Sequence, residues 1–209
     1  MIQRVLEVAG IAIVGAARHE ADDVVGTYAS QADMPVDVVT GDRDLFQVCD
    51  DDRAVRVIYT ARGMKNLEVV TEEKVVAKYK VLPQQYADYA TLRGDASDGL
   101  PGVPGIGEKT AASLLLKYGT LEGLLAAVDQ PGGVAAPVRA KLAAAAGYLE
   151  AAPAVVRLVR NLELPGLDRA GALLQPGTGD RRAELEQLAT EWNLGGSVRR
   201  LLTALDQGG

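Results

Sequence analysis

The stretch GDASDGLPGVPGIGEKTA, residues 94–111, sets two carboxylates, Asp95 and Asp98, directly before a loop of glycine and proline that opens a helix. Gly105 and Gly107 let a backbone come close and take positive φ. Amides at a helix start point outward and favour an anion. Lys109 adds a positive charge, and Ala111 and Ala112 allow a partner helix to pack closely. The spacing predicts a helix-hairpin-helix that grips a nucleic-acid backbone without reading bases. A tight turn between two packed helices is the plainer alternative. Acids beside a phosphate site would repel the phosphate unless a cation lies between them.

Two further acidic groups test that idea. Glu20, Asp22 and Asp23 open the helical pattern EADDVVGTYASQA, and Asp42 and Asp44 follow the apolar run VDVVT. Both groups are expected after strands, in the crevice beyond the carboxyl ends of an α/β sheet. Each alone is also what a helix N-terminus or a turn carries. Convergence would change the physics. Two carboxylates about 4 Å apart repel by roughly 4 kcal/mol at an effective dielectric near 20. Several in one crevice need raised pKa values or a divalent cation. An all-oxygen set selects Mg²⁺ or Mn²⁺ over zinc. Two such ions roughly 3.5–4 Å apart can activate a water and stabilise a leaving oxygen.

Residues 1–80 read as an α/β region: a helix from Ile2 to Val8, strands at IAIV, VDVVT and AVRVIYT, and short helices between. Continuous apolar strands between helices predict a parallel sheet. KNLEVV can add a hairpin or edge strand, and Thr71 can cap the helix EEKVVAKYK. Residues 81–209 read as helices joined by glycine and proline, with the hairpin motif at about 84–128 and Gly119 as a C-cap. PQQYADYATLR, VRAKLAAAAGYLEA and APAVVRLVRN are each expected as one helix. The last helix lies near RRAELEQLATEWN, with Trp192 as a core anchor. Gly195–Gly196 and Gly208–Gly209 read as caps or tail, and Asp50–Asp52 as a solvated loop at the opposite sheet end.

Composition narrows the class. Of 209 residues, 48% are hydrophobic and 24% charged, as in an ordinary globular chain. A net charge of −6, spread over both halves, argues against a protein that coats nucleic acid nonspecifically. The single cysteine, Cys49, excludes an internal disulfide and fits a reducing cytoplasm. It reads as a small buried hydrophobe. No apolar run has the length of a membrane span.

Three blocks, HEADDVVGTYA, TGDRDLFQV and RGDASDGLPGVPGIGEKTAASLLLKYGTLEGLL, resemble in order and spacing the signature blocks of the bacterial 5′-nucleases. That family includes the 5′-nuclease domain of DNA polymerase I and the flap endonucleases. The resemblance implies an α/β fold with an incomplete PIN-like parallel sheet flanked by helices, then an all-helical helix-three-turn-helix region. It implies Mg²⁺- or Mn²⁺-dependent hydrolysis of DNA from a 5′ end or at a 5′ flap, in replication and repair, by a cytoplasmic monomer. By position, Glu20 and Asp22 match acids of one metal site, and Asp42, Asp44 and Asp95 those of the other. Asp23 and Asp98 match acids acting partly through water. Gly102, Val103, Gly105, Ile106, Gly107, Lys109 and Thr110 match the duplex-binding loop, where a monovalent cation such as K⁺ is found.

The family pattern also has a strand with an essential aspartate, a helix with a catalytic arginine, a further strand aspartate and a basic arch. None of these blocks has a counterpart in this sequence, and His19 receives no role. The expectation is therefore a truncated domain with seven carboxylates lacking two partners, weak activity and an exposed apolar sheet edge. The alternatives are a DNA-binding remnant that docks on duplex without cutting and, less favoured, a metal-dependent phosphatase.

Overall fold

The computed structural model describes residues 1–164 and 179–207. By packing it divides into two compact units, one of residues 19–162 and one of residues 1–18 with 163–209. The boundary expected at residue 80 falls inside the first.

The larger unit begins with helix α2, Ala21–Gln31. Strand β1, Val36–Thr40, pairs parallel with β2, Val55–Tyr59, in the register Val38 to Val57. Strand β3, Glu68–Val70, pairs antiparallel with β2, so the sheet is mixed rather than wholly parallel. Strand alternation sends Val38, Val55, Val57 and Val70 into the core. The other face carries Asp37, bonded to Arg56 across the register, and Val39, which is 65% exposed on edge strand β1.

Between β1 and β2, a 3₁₀ turn, Asp44–Val48, drives Leu45 and Phe46 into the core. Phe46 packs edge-on against Tyr59 and Tyr86, with ring centroids 5.3 and 5.7 Å away. Tyr79 meets Tyr86 at 5.2 Å, which joins helix α3, Glu72–Tyr79, to helix α4, Tyr86–Arg93. This aromatic knot fixes the turn that carries Asp44. Thr71 caps α3 as expected, accepting from the Lys74 amide. Asp51 does more than face solvent, because its two carboxylate oxygens accept from the Glu72 and Glu73 amides. PQQ forms a separate 3₁₀ turn, Pro83–Gln85, before α4.

Helices α5, Glu108–Tyr118, and α6, Leu121–Val128, follow, with Gly119 ending α5 at φ +81°. The alanine-rich segment, expected as one helix, is two: α7, Ala136–Ala144, and α8, Ala146–Ala151. Helix α9 is a single turn, Pro153–Val156. The chain after it does not stay helical, because its backbone pairs with α2. The Val159 amide donates to Asp23 Oδ1 at 2.9 Å, and Thr27 Oγ1 donates to the Val159 carbonyl at 3.2 Å.

The smaller unit holds α1, Ile2–Val8, α10, Gly179–Glu191, and α11, Gly195–Gln207. Val8, Leu185, Val198 and Leu202 form its core. Helix α11 went unseen in the sequence, where Gly195 and Gly196 read as caps; they are its first residues. IAIV, residues 11–14, is not a strand, and its residues are only partly buried or exposed. Trp192 is 49% exposed rather than a core anchor. Gly208 and Gly209 lie outside the described residues. Among the described residues, no single helix is long and apolar enough to cross a membrane.

Candidate active site and duplex-docking loop

All seven candidate carboxylates belong to the larger unit. Glu20 precedes α2, and its amide donates to Asp23 Oδ2 at 3.3 Å. Asp23 is thus held at both oxygens, by Glu20 and by Val159. Asp42 stands exposed after β1, and its Oδ1 accepts from the Asp44 amide at 2.9 Å. That bond turns the chain into the 3₁₀ segment and buries Asp44, which is 9% exposed.

Asp95 and Asp98 sit in a short loop closed by two bonds, Asp95 amide to Leu100 carbonyl at 3.0 Å and Leu100 amide to Asp95 carbonyl at 2.8 Å. Asp95 is 3% exposed. Arg93 Nη2 lies 2.9 Å from its Oδ2, and Arg43 Nη2 lies 3.2 Å from its Oδ1. The Ser97 amide and hydroxyl also donate to Oδ1.

Electrostatics join the three segments. Burial pushes the Asp44 carboxyl up to about 7, reinforced by Asp98, Asp42, Asp95 and Asp22. Asp22 is raised by burial and then by Asp42, Glu20, Asp23 and Asp98. Asp98 is raised by burial and then by Asp95 and Asp42. Burial opposes the charge on Asp95 too, but Ser97, Arg43 and Arg93 outweigh it and hold that carboxyl below the usual range. Acids 20–98 residues into the chain therefore share one field.

This donor set fits a hard divalent ion by chemistry: all oxygen, mutually repelling, partly open to solvent. The side chains as placed do not close around one. Among the described residues, no three His, Cys, Asp or Glu groups gather tightly enough to hold an ion.

The docking loop follows without a gap. Gly94 and Gly102 meet back to back with φ +89° and +72°. A Cβ on Gly102 would lie 2.4 Å from the Arg93 carbonyl oxygen, so only glycine fits. Val103 and Ile106 are buried and anchor the loop, while Gly105, Gly107 and Lys109 are exposed. Gly107 is the N-cap of α5 with no side-chain cap. The first intrahelical bond is Ala111 to Gly107, so the amides of Glu108, Lys109 and Thr110 precede it and are the helix's outward donors. Tyr148 of α8 braces the loop: its hydroxyl donates to the Thr91 carbonyl at 2.8 Å and accepts from the Gly102 amide at 3.2 Å.

Sequence reasoning passed over Arg43, Arg93 and Lys141, whose ammonium reaches the loop. The first two carried a signal, a cation between the paired aspartates of GDRD and another two residues before Asp95. Cys49 is buried and its thiol is pushed up to about 12 by burial, which fits a structural residue.

An acid-lined α/β unit continuous with a hairpin that offers backbone amides defines a nuclease-like architecture, and comparison with known proteins assigns the lineage. Residues 1–80 match the family described as "5′-3′ exonuclease, N-terminal resolvase-like domain", and residues 81–173 match "5′-3′ exonuclease, C-terminal SAM fold". The chain belongs to the 5′-3′ exonuclease family. It is 53% identical over 206 residues to a 5′-3′ exonuclease of Streptomyces coelicolor, covering 98% of this chain and 67% of that one. With a 5′-3′ exonuclease of Mycobacterium tuberculosis it shares 44% over 217 residues, 99% of this chain and 66% of that one. DNA polymerase I of the same organism is 44% identical over 177 residues, 83% of this chain but 18% of the polymerase. The chain thus spans about two thirds of its exonuclease relatives. The fold is shared with a T5 5′-exonuclease mutant, TM-score 0.55 at 19% identity over 67% of this chain and 56% of that one. It is shared also with the catalytic core of Rad2 in complex with DNA substrate, 0.54 at 16% over 98% and 67%. The expected PIN-like α/β class with appended helices stands.

Proposed function

We propose that this chain acts as a metal-dependent 5′-3′ nuclease on DNA with a 5′ end or 5′ flap. The observation that carries it is the crowding of carboxylates on Asp44, four of them from three separate segments, beside a loop suited to phosphate. Glu20 and Asp22 would hold one Mg²⁺ or Mn²⁺, and Asp42, Asp44 and Asp95 the other, with Asp23 and Asp98 reaching them through water. Bound there, such ions would supply an activated water and charge stabilisation at the leaving oxygen. The chain's own part is positioning. The amides of Glu108 to Thr110 and the Lys109 ammonium take a backbone phosphate, and Gly105 and Gly107 permit the close approach. The buried Phe46 keeps Asp44 from drifting.

A second reading, duplex docking without efficient cutting, draws support from the arginine clamp, since Asp95 already has partners in place of a metal. Cleavage of a 5′-flap DNA with Mg²⁺ or Mn²⁺, against Asp42→Ala and an EDTA control, separates the two. Cutting that vanishes in both controls supports the nuclease. Binding without cutting supports the docking module, and neither activity would refute both.

A further inference from the structure

Residues 157–162 belong to no helix or strand, yet their bonds tie together separate elements of the larger unit. Two of those elements carry candidate acids. On α2, the Asp23 carboxylate accepts from the Val159 amide, and Thr27 Oγ1 accepts from the Leu162 amide at 3.4 Å. On the 3₁₀ turn, Gln47 is held at both ends. Its Nε2 donates to the Val156 carbonyl at 2.8 Å, and its own carbonyl accepts from Arg160 Nη2 at 2.7 Å. Gln47 is 4% exposed, and these bonds join residues 109 and 113 positions apart. Arg157 adds a further tie, its guanidinium joining Asp88 of α4 to Glu122 of α6. The strap lies close on α2, since a Cβ on Gly26 would fall 3.3 Å from Leu158 Cδ1.

Asp23 adjoins Asp22, and Gln47 follows Asp44 by one turn of the 3₁₀ segment. One short strap thus grips α2 beside the first acid and the turn beside the second. Asp22 and Asp44 repel, which pushes their elements apart. A guanidinium donating to a neutral carbonyl resists that push without neutralising either acid. Among the described residues Arg160 bonds no carboxylate. We propose that residues 156–162 form a clasp that sets the spacing of Asp22 from Asp44, with Arg160 as its positioning residue. The inference rests on the nuclease reading above, in which both acids serve one reaction. Loss of the clasp lowers turnover and leaves the docking loop, and with it DNA affinity, in place.

The test compares Arg160→Met with Arg160→Lys, whose ammonium can still donate to the carbonyl, and with Arg53→Met. Arg53 makes the same kind of bond at the far end of α2, to the Ser30 and Ala32 carbonyls at 2.9 Å. Hydrogen exchange of the full chain in EDTA, without DNA, reads the clasp itself. In Arg160→Met the Phe46 and Cys49 amides, which bond at the turn, should exchange on the order of tenfold faster. Steady-state cleavage of 5′-flap DNA in Mn²⁺ reads the positioning. Arg160→Met should lose roughly tenfold or more in kcat with KM within about twofold of wild type. Arg160→Lys should recover most of that loss, and Arg53→Met should keep the wild-type kcat despite a lower melting temperature. Thr27→Val, isosteric at the other grip, should lower kcat in the same direction and stands in if Arg160→Met fails to fold. A folded Arg160→Met with wild-type exchange or wild-type kcat overturns the inference and leaves the nuclease reading intact, as does an equal kcat loss in Arg53→Met. A wild type that cuts no flap DNA refutes the nuclease reading, and the positioning role with it.

Discussion

Arg93 and Asp95, two residues apart across a glycine, meet as a buried ion pair at 2.9 Å, with side chains 15% and 3% exposed. The pairing neutralises the most buried of the candidate acids. Removing the arginine leaves Asp95 with Arg43 and Ser97 alone. Arg93→Met should therefore cost about 1.5–3 kcal/mol of stability in EDTA, the range for a hydrogen bond to a charged group. Urea denaturation measures it, and the deficit should shrink in Mg²⁺ or Mn²⁺. A loss that ignores the metal would mean Asp95 is not a ligand.

Asp44 gives a pH signature. Its folded value, about 7, lies above the ordinary 3.8, so the folded state holds the proton more tightly than the unfolded chain. Its effect on stability is absent below about pH 4, grows more unfavourable between 4 and 7, and levels off above. Metal-free melts should fall from pH 5 to pH 8, and Asp44→Asn should flatten that fall. Divalent metal should lift the alkaline side. A flat wild-type profile in EDTA would exclude the crowding of charge described here.

Gly102 and Gly63 share a positive φ but not their surroundings. A Cβ on Gly102 strikes the backbone of Arg93 and Gly94 at 2.4–2.5 Å, whereas Gly63, at φ +84°, has nothing within 4 Å. Gly63→Ala should cost about 1 kcal/mol from backbone strain alone, and Gly102→Ala more than about 3 kcal/mol. Paired thermal melts decide it; equal losses would mean the loop relaxes freely.

Asp51 offers a control on which acids matter. It binds two amides at the start of α3, at 3.0 and 3.1 Å. Asp51→Ala should cost about 1 kcal/mol as a lost cap and leave flap cleavage unchanged. A large drop in cleavage of the folded variant would place it in the site.

What the residues revealed before the structure follows from how local each signal was. The continuous apolar runs in VDVVT and AVRVIYT and the capped pattern at Thr71 name their own elements, and β1, β2 and α3 formed there. IAIV has the same composition as a strand, yet pairing is non-local, and among the described residues no strand pairs with it. The segment after Val156 has helical pattern, but the α2 side chains of Asp23 and Thr27 offer its backbone better partners. At the site, the acids and glycines were legible because their spacing is sequential. The Arg43, Arg93 and Lys141 contacts were not, since a cation's partner depends on which loop folds back to it.

The bridge between Asp95 and Leu100, together with the back-to-back Gly94 and Gly102, makes the acidic loop and the docking loop one rigid piece. Under the proposed function that piece is a ruler. The phosphate gripped at α5 and the phosphate presented to the acids would stand a constant number of nucleotides apart, so the cut would fall at a fixed distance from the gripped duplex, set by the protein rather than by the sequence of the DNA.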